Sequence, residues 1–242
     1  MSLFDFISSH LSLDRFLMSY PRSGNTLLRF IIEYLTEKPT EGCWGNVKDV
    51  PICKWEYEKG VDNPLSHVNG IPLYYKSHGL LDFQDKKISN LIFIIRDYKE
   101  CLVRNCLVEE NFDDELFKRE MRQYLELIKI YHSENCPKVH IYYEDLLNKP
   151  LEVIKYLHDF LGDKSNEDNF KRLCENYDEL KDIVAFKGKA VTFEKVTSNF
   201  KLKFHFDKLS SNQQEKFNQY FGELINNGHY DMCRSYIERY MD

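Results

Sequence analysis

Arg15-Phe16-Leu17-Met18-Ser19-Tyr20-Pro21-Arg22-Ser23-Gly24-Asn25-Thr26-Leu27-Leu28 contains a change of periodicity on which the fold turns. Its first five residues are a short apolar run closed by a Pro/Gly-punctuated turn, the pattern of a buried strand. From Thr26 to Leu35 the apolar side chains take up helical spacing, with Leu27, Phe30, Ile31 and Tyr34 on one face. Strand, tight turn and helix form the unit from which α/β sheets are built.

The alternation continues outward. Leu73-Tyr74-Tyr75-Lys76 predicts a second short strand, and the run Leu91-Ile92-Phe93-Ile94-Ile95 a third, of the kind found in a parallel sheet covered on both faces. Phe117, Met121, Tyr124, Leu125, Ile128 and Tyr131 mark an amphipathic helix from Asp114 to Tyr131. Val139 to Tyr143 predicts another strand, followed by helices over Leu151–Leu161, Asn169–Ile183 and Asn212–Ile225. The expected architecture is α/β, a three-layer α/β/α arrangement with a mainly parallel central sheet. No linker divides residues 1–242, so a single domain is expected. Pro39, Gly42, Gly45, Pro51, Gly60, Pro64 and Gly70 predict a loop-rich insertion from 36 to 72, a kind of segment that often shapes a substrate pocket. Its Trp44, Trp55, Tyr57 and His67 read equally as a pocket lining and as packing under a loop.

Composition narrows the function. With 43% hydrophobic, 30% charged and 14% aromatic residues over 242 positions, the chain reads as an ordinary globular protein. A net charge of −6 argues against a nucleic-acid partner but leaves room for a local basic pocket. No apolar run approaches membrane-span length, and the segment Met1 to Phe6 lacks the basic and apolar parts of a secretory signal. The cysteines Cys43, Cys53, Cys101, Cys106, Cys136, Cys174 and Cys233 form no C-x-x-C pair. They predict reduced thiols in a cytoplasmic protein and no metal site.

Three segments carry chemistry, each following a predicted strand. In the Pro21–Thr26 turn, Gly24 permits close backbone approach and the helix N-terminus attracts phosphate oxygens. Arg22 adds a planar cationic fork, and Ser23, Asn25 and Thr26 add short donors. Alone, the segment reads equally as a helix capped by Ser23 or Asn25 beside an exposed arginine. Neither G-x-x-x-x-G-K-[S/T] nor G-x-G-x-x-G occurs. Arg96-Asp97 is either part of a ligand site at a strand end or a surface ion pair. Lys76-Ser77-His78 places an imidazole, a proton acceptor near neutral pH, after the second strand.

The order of Pro, base, Ser and Gly in Tyr20 to Leu28 resembles the 5′-phosphosulfate loop of sulfotransferases that use 3′-phosphoadenosine 5′-phosphosulfate (PAPS), written Y-P-K-S-G-T-T-W-L or S-F-P-R-S-G-N/T. Ile94 to Val103 resembles that family's 3′-phosphate segment, R-N/D-P-x-D-x-x-V-S, and Lys76-Ser77-His78 its K-T/S-H. The three stand in the family's order, and the resemblance covers roughly residues 15 to 225. It implies the P-loop NTPase-like sulfotransferase fold, with PAPS as co-substrate and no metal. By the same resemblance His78 is the catalytic base, Lys76 and Arg22 neutralise the leaving group, Arg22, Ser23, Gly24, Asn25 and Thr26 hold the phosphosulfate, and Arg96 holds the 3′-phosphate.

There are departures. Arg22 stands where cytosolic members usually have lysine. Arg104 takes the place of the family's serine, where its guanidinium either bonds the same phosphate or points elsewhere. Tyr142 to Leu147 followed by Pro150 resembles Y-E-D-L-x-x-D-P, which implies a nucleotide contact for Tyr143; a strand running into a capped helix accounts for the same residues. Phe186-Lys187-Gly188-Lys189 resembles the late R-K-G loop and implies Lys187 and Gly188 at the 3′-phosphate, although Ala190 to Lys195 depart from the G-x-x-G-D-W-K-N around it. The expected function is transfer of the PAPS sulfuryl group to a hydroxyl or amine of a small-molecule or other acceptor, with release of 3′-phosphoadenosine 5′-phosphate (PAP). The rivals are a P-loop kinase or nucleotide hydrolase, which needs a Walker lysine and a magnesium carboxylate, and an inactive nucleotide-binding module of the same fold.

Overall fold

The strand that opens the decisive segment, β1 (Arg15–Ser19), lies in the middle of a five-stranded parallel sheet of order β2-β3-β1-β4-β5. A computed structural model describes residues 15–41, 72–79, 88–106, 114–184 and 205–241. The other strands are β2 (Thr40–Glu41), β3 (Tyr74–Ser77), β4 (Asn90–Ile95) and β5 (Lys138–Tyr142). The helices are α1 (Asn25–Thr36), α2 (Tyr98–Cys106), α3 (Asp114–Ser133), α4 (Tyr143–Asn148), α5 (Pro150–Leu161), α6 (Glu167–Val184), α7 (Ser211–Asn226) and the short α8 (Arg234–Ile237).

Alternation along the strands builds two cores, one on each face of the sheet. Phe16 and Met18 of β1 and Leu91, Phe93 and Ile95 of β4 pack with α2, α3 and α7. Leu17, Ile92 and Ile94 point the other way, against α1, α5 and the first part of α6. The layers are therefore α/β/α, as the periodicity predicts. Each face is dry: Leu17, Met18, Leu91 and Ile92 are fully buried, and removing such a side chain costs about 2–5 kcal/mol.

Two expectations are corrected. Tyr143 does not extend the last strand; it opens α4, and the carbonyl of Asp145 accepts the Lys149 N–H where that helix ends. The 36–72 stretch also contributes a strand, since Thr40 and Glu41 of β2 pair with Tyr74 and Tyr75 of β3. Buried charges of α1 hold this short edge in place. Arg29 donates through Nε to Thr40 Oγ1 at 2.7 Å and through Nη2 to the Thr40 carbonyl at 2.9 Å, while Glu33 accepts the Thr40 N–H at 2.9 Å. A two-residue strand gives too little periodicity to be read from sequence.

Register then assembles the site. Met18 of β1 is level with Ser77 of β3, and Ser19 is level with Ile94 of β4. The turns after β1, β3 and β4 thus leave the same carboxyl edge side by side. After β1 the chain enters a helix on one face, and after β4 a helix on the other. The crevice between those two strand ends is where open α/β sheets bind ligands.

Candidate functional site

The turn after β1 is shaped by backbone. Arg22 is exposed with φ 69°, Gly24 has φ 91°, and α1 begins at Asn25 with no side-chain cap. The expectation that Ser23 or Asn25 caps the helix is not met, because Gly24 occupies the cap position and both side chains turn inward. Ser23 is 1% exposed and Asn25 6%. Ser23 Oγ and Asn25 Oδ1 have no hydrogen-bond partner. The Ser23 hydroxyl bears on the buried Cys101 thiol, a weak hydrogen-bonding group. Gly24 is required by packing as well as by φ, since a Cβ there would lie 2.2 Å from Tyr143 Cδ2.

Arg96 follows β4 and is 2% exposed. It forms no ion pair with Asp97, the plain reading of that dipeptide. Its Nη1 donates to the Arg22 carbonyl at 3.0 Å, its Cζ lies 4.4 Å from the centre of the Tyr143 ring, and its Nε has no partner. Tyr143 is thus the buried floor beneath both Gly24 and Arg96. Asp97 instead accepts the Lys99 N–H at 2.9 Å and starts α2. Burial, with Glu144 adding to it, pushes the Asp97 carboxyl up to about 6.

Glu100, one turn into α2, is the anionic counterweight. It lies 3.5 Å from Arg96 Nη2 and 3.7 Å from Arg104 Nε. It also accepts from the His205 backbone N–H at 2.6 Å and from His205 Nδ1 at 2.8 Å. Arg104 therefore turns toward Arg96, and burial followed by the charge of Arg96 pushes its pKa down. Glu100 stands four residues from each arginine, a helical spacing legible in the sequence. It lies within the Ile94 to Val103 segment, where the resemblance gives it no role.

His78 sits just beyond β3, half-buried. Its Nδ1 is 2.8 Å from the Ser19 carbonyl oxygen and 2.9 Å from Ser19 Oγ. A carbonyl can only accept, so the bond to it requires the hydrogen on Nδ1 and makes Nε2 the basic nitrogen of the neutral ring, whereas the Ser19 hydroxyl can bond to Nδ1 in either tautomer. Gln123 of α3 donates to the His78 carbonyl at 3.0 Å. Asn25 Nδ2 donates to Ser19 Oγ at 2.9 Å, which links the turn to the histidine. Lys76 lies in β3 opposite Leu17 of the central strand. Ser19 and Gln123 carry no sequence signal of a role, because only the folded register brings them to His78.

No family model and no curated protein sequence matches the chain. Solved structures do. Mouse sulfotransferase SULT7A1 complexed with PAP aligns with a TM-score of 0.58 at 16% identity, over 99% of this chain and 95% of that one. The chain has the sulfotransferase fold. Two complexes of retinol dehydratase agree, both at 16% identity. The one with androsterone and inactive cofactor PAP gives a TM-score of 0.54 over 90% of this chain and 82% of that chain. The one with retinol and PAP gives 0.52 over 88% and 81%. On this sulfotransferase fold the structure brings Arg22 to Thr26, Lys76, His78, Arg96, Arg104 and Tyr143 to one carboxyl edge. Lys187 and Gly188, like Trp44, Trp55, Tyr57 and His67, lie outside the described residues.

Proposed function

We propose that the chain is a sulfotransferase in activity as well as in fold, transferring the sulfuryl group of PAPS to a hydroxyl or amine and releasing PAP. One observation carries the reading. Among the described residues, the buried side-chain atoms without a hydrogen-bond partner are Ser23 Oγ, Asn25 Oδ1 and Arg96 Nε, and all three belong to the two segments that flank one crevice. Each such atom costs about 1–3 kcal/mol, and native folds rarely leave three together without a ligand to meet them. Arg96 Nε and the Ser23 hydroxyl are donors, which suits the acceptor-only oxygens of phosphate and sulfate. Three guanidiniums, Arg22, Arg96 and Arg104, lie about that crevice, the last two paired with Glu100, and such forks suit a multiply anionic nucleotide.

PAPS supplies a sulfuryl group already joined to a phosphate leaving group. In this reading the Arg22–Thr26 turn holds that phosphosulfate, and Arg96 with Arg104 holds the 3′-phosphate. His78 Nε2 takes the acceptor's proton as the acceptor oxygen or nitrogen bonds to sulfur and the bond from sulfur to the bridging oxygen breaks. Lys76 and Arg22 neutralise the charge gained by that oxygen. The retinol dehydratase complexes hold androsterone and retinol, so apolar alcohols belong in the acceptor panel beside phenols, sugars and amines.

The test is His78→Ala assayed with ³⁵S-labelled PAPS over that panel. Turnover should fall by at least about 100-fold, while calorimetry should find PAP affinity within about twofold of the parent protein. Unchanged turnover removes His78 from the base role. PAP binding that requires magnesium favours the phosphoryl-transfer rival, and PAP binding without labelled product from any acceptor favours the binding module. Absence of PAP binding overturns the reading.

A further inference from the structure

We propose that His78, Ser19 and Asn25 form one chain of hydrogen-bond donors ending on the anion held by the Pro21–Thr26 turn, so that filling the turn selects the His78 tautomer able to act as base. The proposal rests on the sulfotransferase reading and adds a positioning role for Ser19, which the sequence does not announce.

The chain is short, and its Ser19 and Asn25 members are buried. Ser19 is 0% exposed, and its Oγ lies 2.9 Å from both Asn25 Nδ2 and His78 Nδ1. As the amide stands, Ser19 Oγ accepts from Asn25 and Asn25 Oδ1 is left without a partner. The Ser19 hydroxyl hydrogen can then be given to Nδ1, an arrangement that puts the ring hydrogen on Nε2 and idles the base. The competing bond from Nδ1 to the Ser19 carbonyl, at 2.8 Å, requires the hydrogen on Nδ1 instead. Without an anion on the turn, two hydrogen arrangements are therefore open to these three residues.

An oxyanion removes the choice. It accepts and never donates, so it favours the amide turned end for end, with NH2 toward the anion and Oδ1 toward Ser19. The Ser19 hydroxyl then donates to Oδ1 and can no longer donate to Nδ1. His78 Nδ1–H donates to both oxygens of Ser19, and Nε2 is left as the proton acceptor. In this arrangement every member of the chain donates toward the anion, and Asn25 Oδ1 gains the partner it lacks.

The experiment reads the tautomer directly. Protein with ¹⁵N-labelled histidine rings is examined by long-range ¹H–¹⁵N correlation at about pH 8, where an ordinary imidazole of pKa about 6.5 is neutral. The His78 signals are assigned by their loss in His78→Gln. On saturation with PAP, Nδ1 should move to the position of a protonated ring nitrogen and Nε2 to that of a bare one. Ser19→Ala and Asn25→Ala should show averaged signals that PAP no longer moves, and Ser19→Thr, which keeps the hydroxyl, should restore the response. Calorimetry of PAP on the same samples separates the two ideas. If the parent protein does not bind PAP, the sulfotransferase reading and the anion-linked chain fall together. If PAP binds and the His78 signals respond equally in Ser19→Ala and Asn25→Ala, or if Nε2 carries the hydrogen in the PAP complex, the chain alone is overturned.

Discussion

Gly24 and Tyr143 constrain one another. The glycine's φ of 91° places a non-glycine residue in the left-handed region, at a cost of about 1–2 kcal/mol. The Tyr143 ring fills the space where a Cβ would go. Gly24→Ala should therefore lose more than about 2 kcal/mol in urea denaturation, and PAP affinity with it. Adding Tyr143→Leu should recover part of the difference by relieving the clash, leaving the backbone share. Asp97 gives a pH-dependent case. Its folded-state pKa, about 6, lies above the ordinary carboxyl value because burial opposes ionisation. The folded state thus keeps this proton longer than the unfolded chain does, so Asp97 lowers stability progressively as pH rises through about 4 to 6 and by a constant amount above that. Asp97→Asn should stabilise the protein at pH 8 by on the order of 2–3 kcal/mol, and the gain should vanish near pH 3 in paired denaturation curves. The Lys99 N–H can still be accepted by the amide oxygen.

At the scale of elements, Glu100 ties α2 to both arginines and to His205. Glu100→Ala removes the carboxylate that pairs with both Arg96 and Arg104 and the acceptor of the His205 N–H. Truncating one partner of a buried charge cluster costs about 3–5 kcal/mol. Chemical denaturation should show a loss of that order, and added PAP should recover part of it by bringing negative charge back to the two guanidiniums. Farther away, Ser210 and Gln213 form a reciprocal cap on α7, so Ser210→Ala should cost about 1 kcal/mol and leave PAP affinity unchanged. Elements of this length were readable in the sequence because strand and helix spacings run for several turns or pleats: Leu91 to Ile95 and Phe117 to Tyr131 declare themselves. β2 does not, having two residues, and Tyr143 reads as the end of a strand because an aromatic after Val139-His140-Ile141 continues that pattern. The residues proposed to hold the anion were legible as well, since Arg22 to Thr26 and Arg96 stand at strand ends. Their partners were not. Ser19, Gln123 and His205 act through register and distant packing, which no local pattern encodes.

Across the whole molecule, charge is unevenly placed. The chain carries a net −6, yet Arg22, Arg96 and Arg104 meet at one edge of the sheet, so the attraction felt by a nucleotide is local and partly shielded from solvent. PAP affinity should fall only gradually between 50 mM and 500 mM salt, because Arg96 is buried and Arg104 largely so, and such charges are screened much less than exposed ones. Titration calorimetry across that range would measure the slope. Binding should also raise the thermal midpoint, with about 2.7 kcal/mol of added stability at 100 times the dissociation constant.

The order β2-β3-β1-β4-β5 has a consequence for how the chain matures. The strand that is central in space is made before either of its neighbours, and its partners begin only at Tyr74 and Asn90. Until both have emerged from the ribosome, the oily residues Phe16 to Met18 have no sheet to join. Slow, non-local pairing of this sort leaves nascent chains open to aggregation, so a growing polypeptide stopped short of Ile95 should be a client for chaperones, and one extended past Tyr142 should begin to resist protease.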